Sequence, residues 1–124
     1  MPIQDEDSIQ RVVAAYLNHC GVLWAHPPNG GWRHPATAAR LRQQGVSPGC
    51  PDVMVYTAPP REPGKVGAAM ELKRDKGGRL SPAQKAWLDG LKSCGWATAV
   101  CCGVDEALAM LKDWGYLPGR LKGP

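Results

Sequence analysis

The chain has no apolar run approaching the roughly 18 residues that a membrane-crossing helix needs. Its start carries Asp5, Glu6 and Asp7 where a secretory leader would carry basic residues, so no signal peptide is read there. Internal repeats and low-complexity segments are absent. The five cysteines, Cys20, Cys50, Cys94, Cys101 and Cys102, are odd in number and show no CxxC spacing. That argues against a disulfide framework and for free thiols in a reducing compartment. His19, His26 and His34, with Cys20, lack the spacing of a zinc finger, so structural zinc is not expected. These absences together predict a soluble, cytoplasmic protein with no membrane partner.

With 124 residues there is room for one domain and little for a second. At 44% hydrophobic the chain can bury a core without disulfides. The net charge of +4 tilts the expectation gently toward an anionic partner, since charge balance bears on association and not on fold.

Ile9, Val12, Val13, Tyr16, Leu17 and Cys20 trace one face of an amphipathic helix over about 6–20, which Gly21 ends. Residues 22–25 read as a short strand, and 26–31, rich in Pro and Gly, as a loop. A helix is predicted over 35–44, then a turn over 47–51 that feeds Asp52 and a buried strand over 53–56. Residues 57–66 form a polar connection, and Ala68–Lys73 is the next strand. In that strand Met70 and Leu72 face one way, and Ala69, Glu71 and Lys73 the other. After a turn at 75–78, Ser81-Pro82-x-Gln84 has the form of a capping box at a helix start. A strand over 97–102 and a helix over 105–114 complete the core, and the tail after Tyr116 shows no periodicity. The order α-β-α-β-β-α-β-α predicts an α/β sandwich with a central mixed sheet flanked by helices.

The pattern that carries chemistry is Pro51-Asp52 and, nineteen positions after Asp52, Glu71-Leu72-Lys73. If the two strands pair as a hairpin, both carboxylates meet at one end of the sheet. Two such groups in a half-buried site repel, and one takes up a proton unless a cation binds. Hard oxygen donors suit Mg²⁺ or Mn²⁺, with the backbone carbonyl of Leu72 a plausible third ligand beside Asp52 and Glu71. Lys73 shares a strand face with Glu71, so its ammonium can orient an attacking water and offset charge growing on a phosphate. Those parts together would hydrolyse a phosphodiester.

Three stretches resemble the VRR-NUC branch of the PD-(D/E)xK nucleases: Gly45-Val46-Ser47-Pro48-Gly49-Cys50-Pro51-Asp52, Glu71-Leu72-Lys73, and Gly78-Arg79-Leu80-Ser81-Pro82-Ala83-Gln84. The resemblance runs from about Glu6 to Trp114 and implies a nuclease domain over 1–116 of restriction-endonuclease-like fold, with a loose tail over 117–124. It implies catalytic roles for Asp52, Glu71, Lys73 and Gln84. It also implies an acidic residue of the first helix at the metal site: Glu6, or else Asp5 or Asp7, with Gln10 one turn on. A metal-dependent endonuclease acting on branched DNA such as four-way junctions is the implied activity. A homodimer, in a bacterial cell or a phage-infected host, is the implied setting. Two symmetric cuts need two active sites, which favours a dimer.

Gln84 also has a purely structural reading as the capping-box partner of Ser81, and an acidic Glu6 suits a helix start for dipole reasons alone. His26 and Asn29 sit in a loop that could face DNA. Arg33, Arg40, Arg42, Lys65, Arg74, Lys76, Arg79 and Lys85 lie near the motif in sequence and are candidate phosphate contacts. The tryptophans read as core or interface residues, Trp32 excepted. The rival to an enzyme is a module of the same fold that binds DNA junctions without cutting. A protein-interaction role for the basic loops is a third reading.

Overall fold

Ile9, Val13, Leu17 and Cys20 are fully buried along one side of α1 (Glu6–Cys20), as their spacing requires. Asp5 caps that helix by accepting from the Ser8 N–H at 2.7 Å, and Gly21, at φ 70°, supplies the left-handed turn that ends it. The computed structural model describes residues 5–28, 33–74 and 78–119. After α1 come β1 (Trp24–Ala25), α2 (Pro35–Gln43), β2 (Val53–Val55) and β3 (Ala68–Lys73). Then follow α3 (Pro82–Ser93), β4 (Ala97–Cys102) and α4 (Gly103–Asp113). The element order is the expected one.

The strands form one sheet in the order β1-β2-β3-β4, with antiparallel pairing up to β3 and a parallel β3–β4 pair. The sheet is therefore mixed, and its faces are covered differently. Val53, Val55, Ala68, Met70 and Leu72 join the buried residues of α1 and α4 in the main core. Met54 and Ala69 point to the other face, where Leu91, Trp87 and Trp96 pack on them from the α3 side. This is a restriction-endonuclease-like α/β sandwich.

Boundaries depart from expectation where side chains replace ladder bonds. The first strand begins at Trp24 and not at residue 22; at Leu23 the carbonyl still accepts from the Tyr56 N–H at 2.8 Å, while the N–H donates to the Thr57 hydroxyl at 2.9 Å. Tyr56 is exposed and lies past the end of β2. The last helix begins at Gly103, two residues earlier than its composition suggests, and Glu106 reaches back to accept from the Cys102 N–H at 3.0 Å. Among the described residues no helix is long and apolar enough to cross a membrane.

Strand direction gives the sheet two distinct ends. The C-terminal ends of β1, β3 and β4 and the start of β2 lie at one end, and the 57–67 connection lies at the other. The core reaches as far as Tyr116, which is fully buried. Its hydroxyl donates to the Thr57 carbonyl at 2.6 Å, and its own carbonyl accepts from the Tyr16 hydroxyl at 2.6 Å. These bonds fasten α1, the 57–67 connection and the chain after α4 at the end away from Asp52. Removing the Tyr116 hydroxyl takes the donor from the half-buried Thr57 carbonyl. Tyr116→Phe is expected to lower the unfolding free energy by about 1–3 kcal/mol. Urea denaturation measures it, and an unchanged midpoint would mean that the hydroxyl contributes nothing to stability.

Candidate active site

Asp52 stands where the β2–β3 ladder runs out. Val53 pairs with Met70, so continuing that register sets Asp52 opposite Glu71. The ladder is prolonged by a side chain: Asp52 Oδ2 accepts from the Leu72 N–H at 2.7 Å. On the other side, the Asp52 carbonyl accepts from Nδ1 of His26 at 2.7 Å. Because a carbonyl can only accept, that contact fixes the proton of His26 on Nδ1. The predicted hairpin pairing is present, and it brings the two carboxylates to the same end of the sheet.

Glu71 and Lys73 are both buried, as charged residues seldom are without partners. Gln84 holds them together. Its Nε2 donates to Glu71 Oε2 at 3.2 Å, and its Oε1 accepts from Lys73 Nζ at 2.9 Å. The same Oε1 accepts from the Ser81 N–H at 2.8 Å, while the Gln84 N–H donates to Ser81 Oγ at 3.1 Å. The capping box is thus complete, and its glutamine also bridges the ExK pair. Lys73 Nζ lies 4.0 Å from Glu71 Oε2. Its stem is pressed down by Gly78, where a Cβ would come within 2.6 Å of Lys73 Cβ.

Burial pushes the Glu71 carboxyl well above the ordinary glutamate range. The hydrogen bond and charge of Asp52 add to that effect, and Lys73 only partly offsets it. Glu71 Oε1 is buried with no donor. Two oxygen-rich groups short of a cation and a buried acceptor short of a partner are the surroundings in which a divalent metal is held. Among the described residues no group of three or more His, Cys, Asp or Glu is placed to hold a metal. Two carboxylates with nearby backbone oxygens are hard donors of the kind that suit Mg²⁺ or Mn²⁺.

The three acids of the first helix differ in what they contact. Asp5 is occupied as the N-cap, and Asp7 pairs with Arg11 at 3.0 Å. Glu6 is the one whose charge reaches Glu71. One turn on, Gln10 has a buried Nε2 with no acceptor.

His26 is exposed apart from its bond to Asp52, and Arg40, Arg74 and Arg79 are exposed. Arg33 makes one long contact to the Pro28 carbonyl, at 3.5 Å. His34 caps α2 by accepting from the Ala36 N–H at 3.1 Å. Lys65 is not at the site: its N–H bonds to the Glu62 carbonyl in the connection at the opposite end of the sheet. Asn29, Trp32 and Lys76 lie outside the described residues.

Composition alone does not reveal how the loop before Asp52 is seated. Gly49, at φ 90°, lies so close to α3 that a Cβ would come within 2.5 Å of the Ala83 carbonyl carbon and 2.7 Å of the Gln84 nitrogen. Trp87 Nε1 donates to Ser47 Oγ at 3.1 Å and fastens the same loop. Cys50 sits beside the carboxylates, and burial, with their charges adding, raises its thiol pKa. The Pro48-Gly49 pair is the only local signal, and its meaning lies in a contact thirty-four residues further on.

A mixed sheet carrying two carboxylates and a lysine at one end defines a nuclease-type domain. The family model for the VRR-NUC domain matches residues 4–105, and the chain belongs to that family. A solved structure described as "VRR_NUC domain protein" superposes with a TM-score of 0.74 over 95% of this chain and 93% of that one, at 23% identity. That likeness bears on the fold. No curated protein matches the chain in sequence.

The raised Glu71 has a consequence for stability in the absence of divalent cation. The native state keeps a proton that the unfolded chain releases, so stability falls as pH rises from the ordinary glutamate value through the raised one. Glu71→Gln, which keeps the shape and removes the charge, is expected to flatten that slope and to raise Tm at pH ~8 in EDTA. Thermal melts from pH ~5 to ~9 test this, and a wild-type Tm that rises over that window would reverse the sign.

Proposed function

We propose that this protein is a metal-dependent endonuclease that hydrolyses phosphodiesters in DNA, with branched DNA such as a four-way junction as its preferred substrate. The observation that carries the reading is the joining of Asp52, Glu71 and Lys73 through Leu72 and Gln84 at one end of the sheet. Asp52 and Glu71 would hold Mg²⁺ or Mn²⁺, with the Leu72 carbonyl as a third oxygen and Glu6 adding negative charge from the first turn of α1. When bound, that cation would supply Lewis acidity toward a phosphoryl oxygen and acidify a water.

The chain's own residues do the positioning. Lys73 has its stem fixed against Gly78 and one ammonium proton given to Gln84. Its two remaining protons are available to a water and to a phosphate oxygen. Gln84 fixes the distance between the ammonium and the Glu71 carboxylate, and the capping box holds Gln84. The Asp52 carboxylate is oriented by the Leu72 N–H, which leaves its second oxygen for the metal. A homodimer would set two such sites for paired cuts.

The test is cleavage of labelled four-way, flapped, nicked and linear DNA with Mg²⁺, Mn²⁺ or EDTA. Wild type is expected to cut only with metal. Glu71→Ala and Lys73→Ala are each expected to lower kcat by roughly 10²-fold or more. Binding without cutting under every metal condition would instead make this a junction-binding module.

A further inference from the structure

The connection from β1 to β2 is long for two neighbouring antiparallel strands, and its charge is one-sided. Between His26 and Pro51 fall Arg33, Arg40 and Arg42 and no Asp or Glu, so about a fifth of the chain supplies three of its four net positive charges. The helix in this connection, α2, has no buried residue. Its inner face, Thr37, Ala38, Ala39 and Leu41, is only half-buried, so this nine-residue helix gains little from packing and is marginal by itself. Basic residues suit a helix's last turn, but that explains where they stand and not why a coreless helix is kept.

The segment is also fastened to the site at both ends. At its start the His26 ring bonds to the Asp52 carbonyl, and at its end Pro51 leads directly into Asp52. The last turn of α2, which carries Arg40 and Arg42, is locked to the loop that follows. The Gly45 N–H donates to the Arg42 carbonyl at 3.0 Å, and the Val46 N–H donates to the Leu41 carbonyl at 2.9 Å. Gly45 takes φ 101° to make that turn. From there Val46, Ser47 and Cys50 line a cavity of about 220 Å³ with Pro27, Pro28 and Trp87, and Cys50 stands beside the two carboxylates. The two arginines are exposed in the last turn of α2, the turn that leads through Gly45 into the loop before Asp52.

We infer that α2 and its C-terminal turn form a clamp for the DNA backbone, with Arg40 and Arg42 contacting phosphates that flank the one being cut. The inference rests on the nuclease reading above and adds the surface that holds the substrate. It gives a role to a thinly packed basic helix in a connection that starts at His26, bonded to Asp52, and ends at Pro51: the arm sets the position of the duplex relative to Asp52.

The experiment compares wild type with Arg40→Gln/Arg42→Gln and with Arg61→Gln/Lys112→Gln, which removes the same charge at the opposite end of the sheet. Binding of a fluorescein-labelled duplex and a labelled four-way junction is followed by anisotropy in EDTA over a salt series, and cleavage is followed with Mg²⁺. Removing one phosphate-binding cation lowers the slope of log K against log salt by about 1, so the α2 variant is expected to show a slope reduced by about 2. Its Kd and KM are expected to rise several-fold while kcat and Tm stay at wild-type values, and the control pair is expected to keep the wild-type slope. An α2 variant with the wild-type slope, or a control whose slope falls as much, overturns the clamp while leaving cleavage by wild type in place. A wild type that neither binds nor cuts overturns the nuclease reading itself, and the clamp with it.

Discussion

The bond from the Leu72 N–H to the Asp52 carboxylate closes the β2–β3 ladder with a side chain where the backbone pairing stops. A strand one residue longer would have used a carbonyl there and left the carboxylate to point at random. Instead one oxygen of Asp52 completes the ladder and the other is aimed. The same N–H belongs to the residue between Glu71 and Lys73, so the bond also fixes the register of the ExK pair against Asp52. Shifting that register by one residue would turn Glu71 and Lys73 onto the opposite face, into the core shared by α1 and α4.

Gln84 shows how little separates a stabilising residue from a functional one. A capping box needs only a side-chain oxygen returned to the Ser81 N–H, and glutamine and glutamate serve equally. At this position glutamate would add a third carboxylate beside Glu71 and Asp52, where burial already disfavours charge. Glutamine supplies the oxygen for the cap and for Lys73, and an N–H for Glu71. Of two isosteric caps, glutamine is the one that suits the neighbours Glu71 and Lys73 as well as Ser81.

Periodicity carries most of the fold. The i, i+3, i+4 spacing of α1, the alternation of β3 and the Ser81 cap each depend on residues near in sequence, and all three are found as read. Sequence is less informative where a distant side chain decides the outcome. Thr57 takes the Leu23 N–H ahead of β1, and Glu106 draws the start of α4 forward. Tyr116, at the edge of a tail without periodicity, is buried because Tyr16 and Thr57 claim both its polar groups. At the site, the Asp52, Glu71 and Lys73 pattern is legible because strand alternation dictates which face each side chain takes. Lys65 is close to the motif in sequence but not in space, since the turn between β2 and β3 carries it to the far end. That Asp5 serves as a cap and Asp7 pairs with Arg11 is likewise a matter of contacts and not of composition.

The orientation of α1 has a consequence for how such a domain can be built into larger proteins. Its first turn lies at the end of the sheet that carries the carboxylates, whereas the chain after α4 is fastened at the opposite end by Tyr116. A segment joined ahead of α1 would start from the end of the sheet that carries Asp52 and Glu71, and one joined after α4 from the end fastened by Tyr116. Fusions at the two ends are thus inequivalent: one adds mass on the side of the carboxylates, and the other on the side away from them.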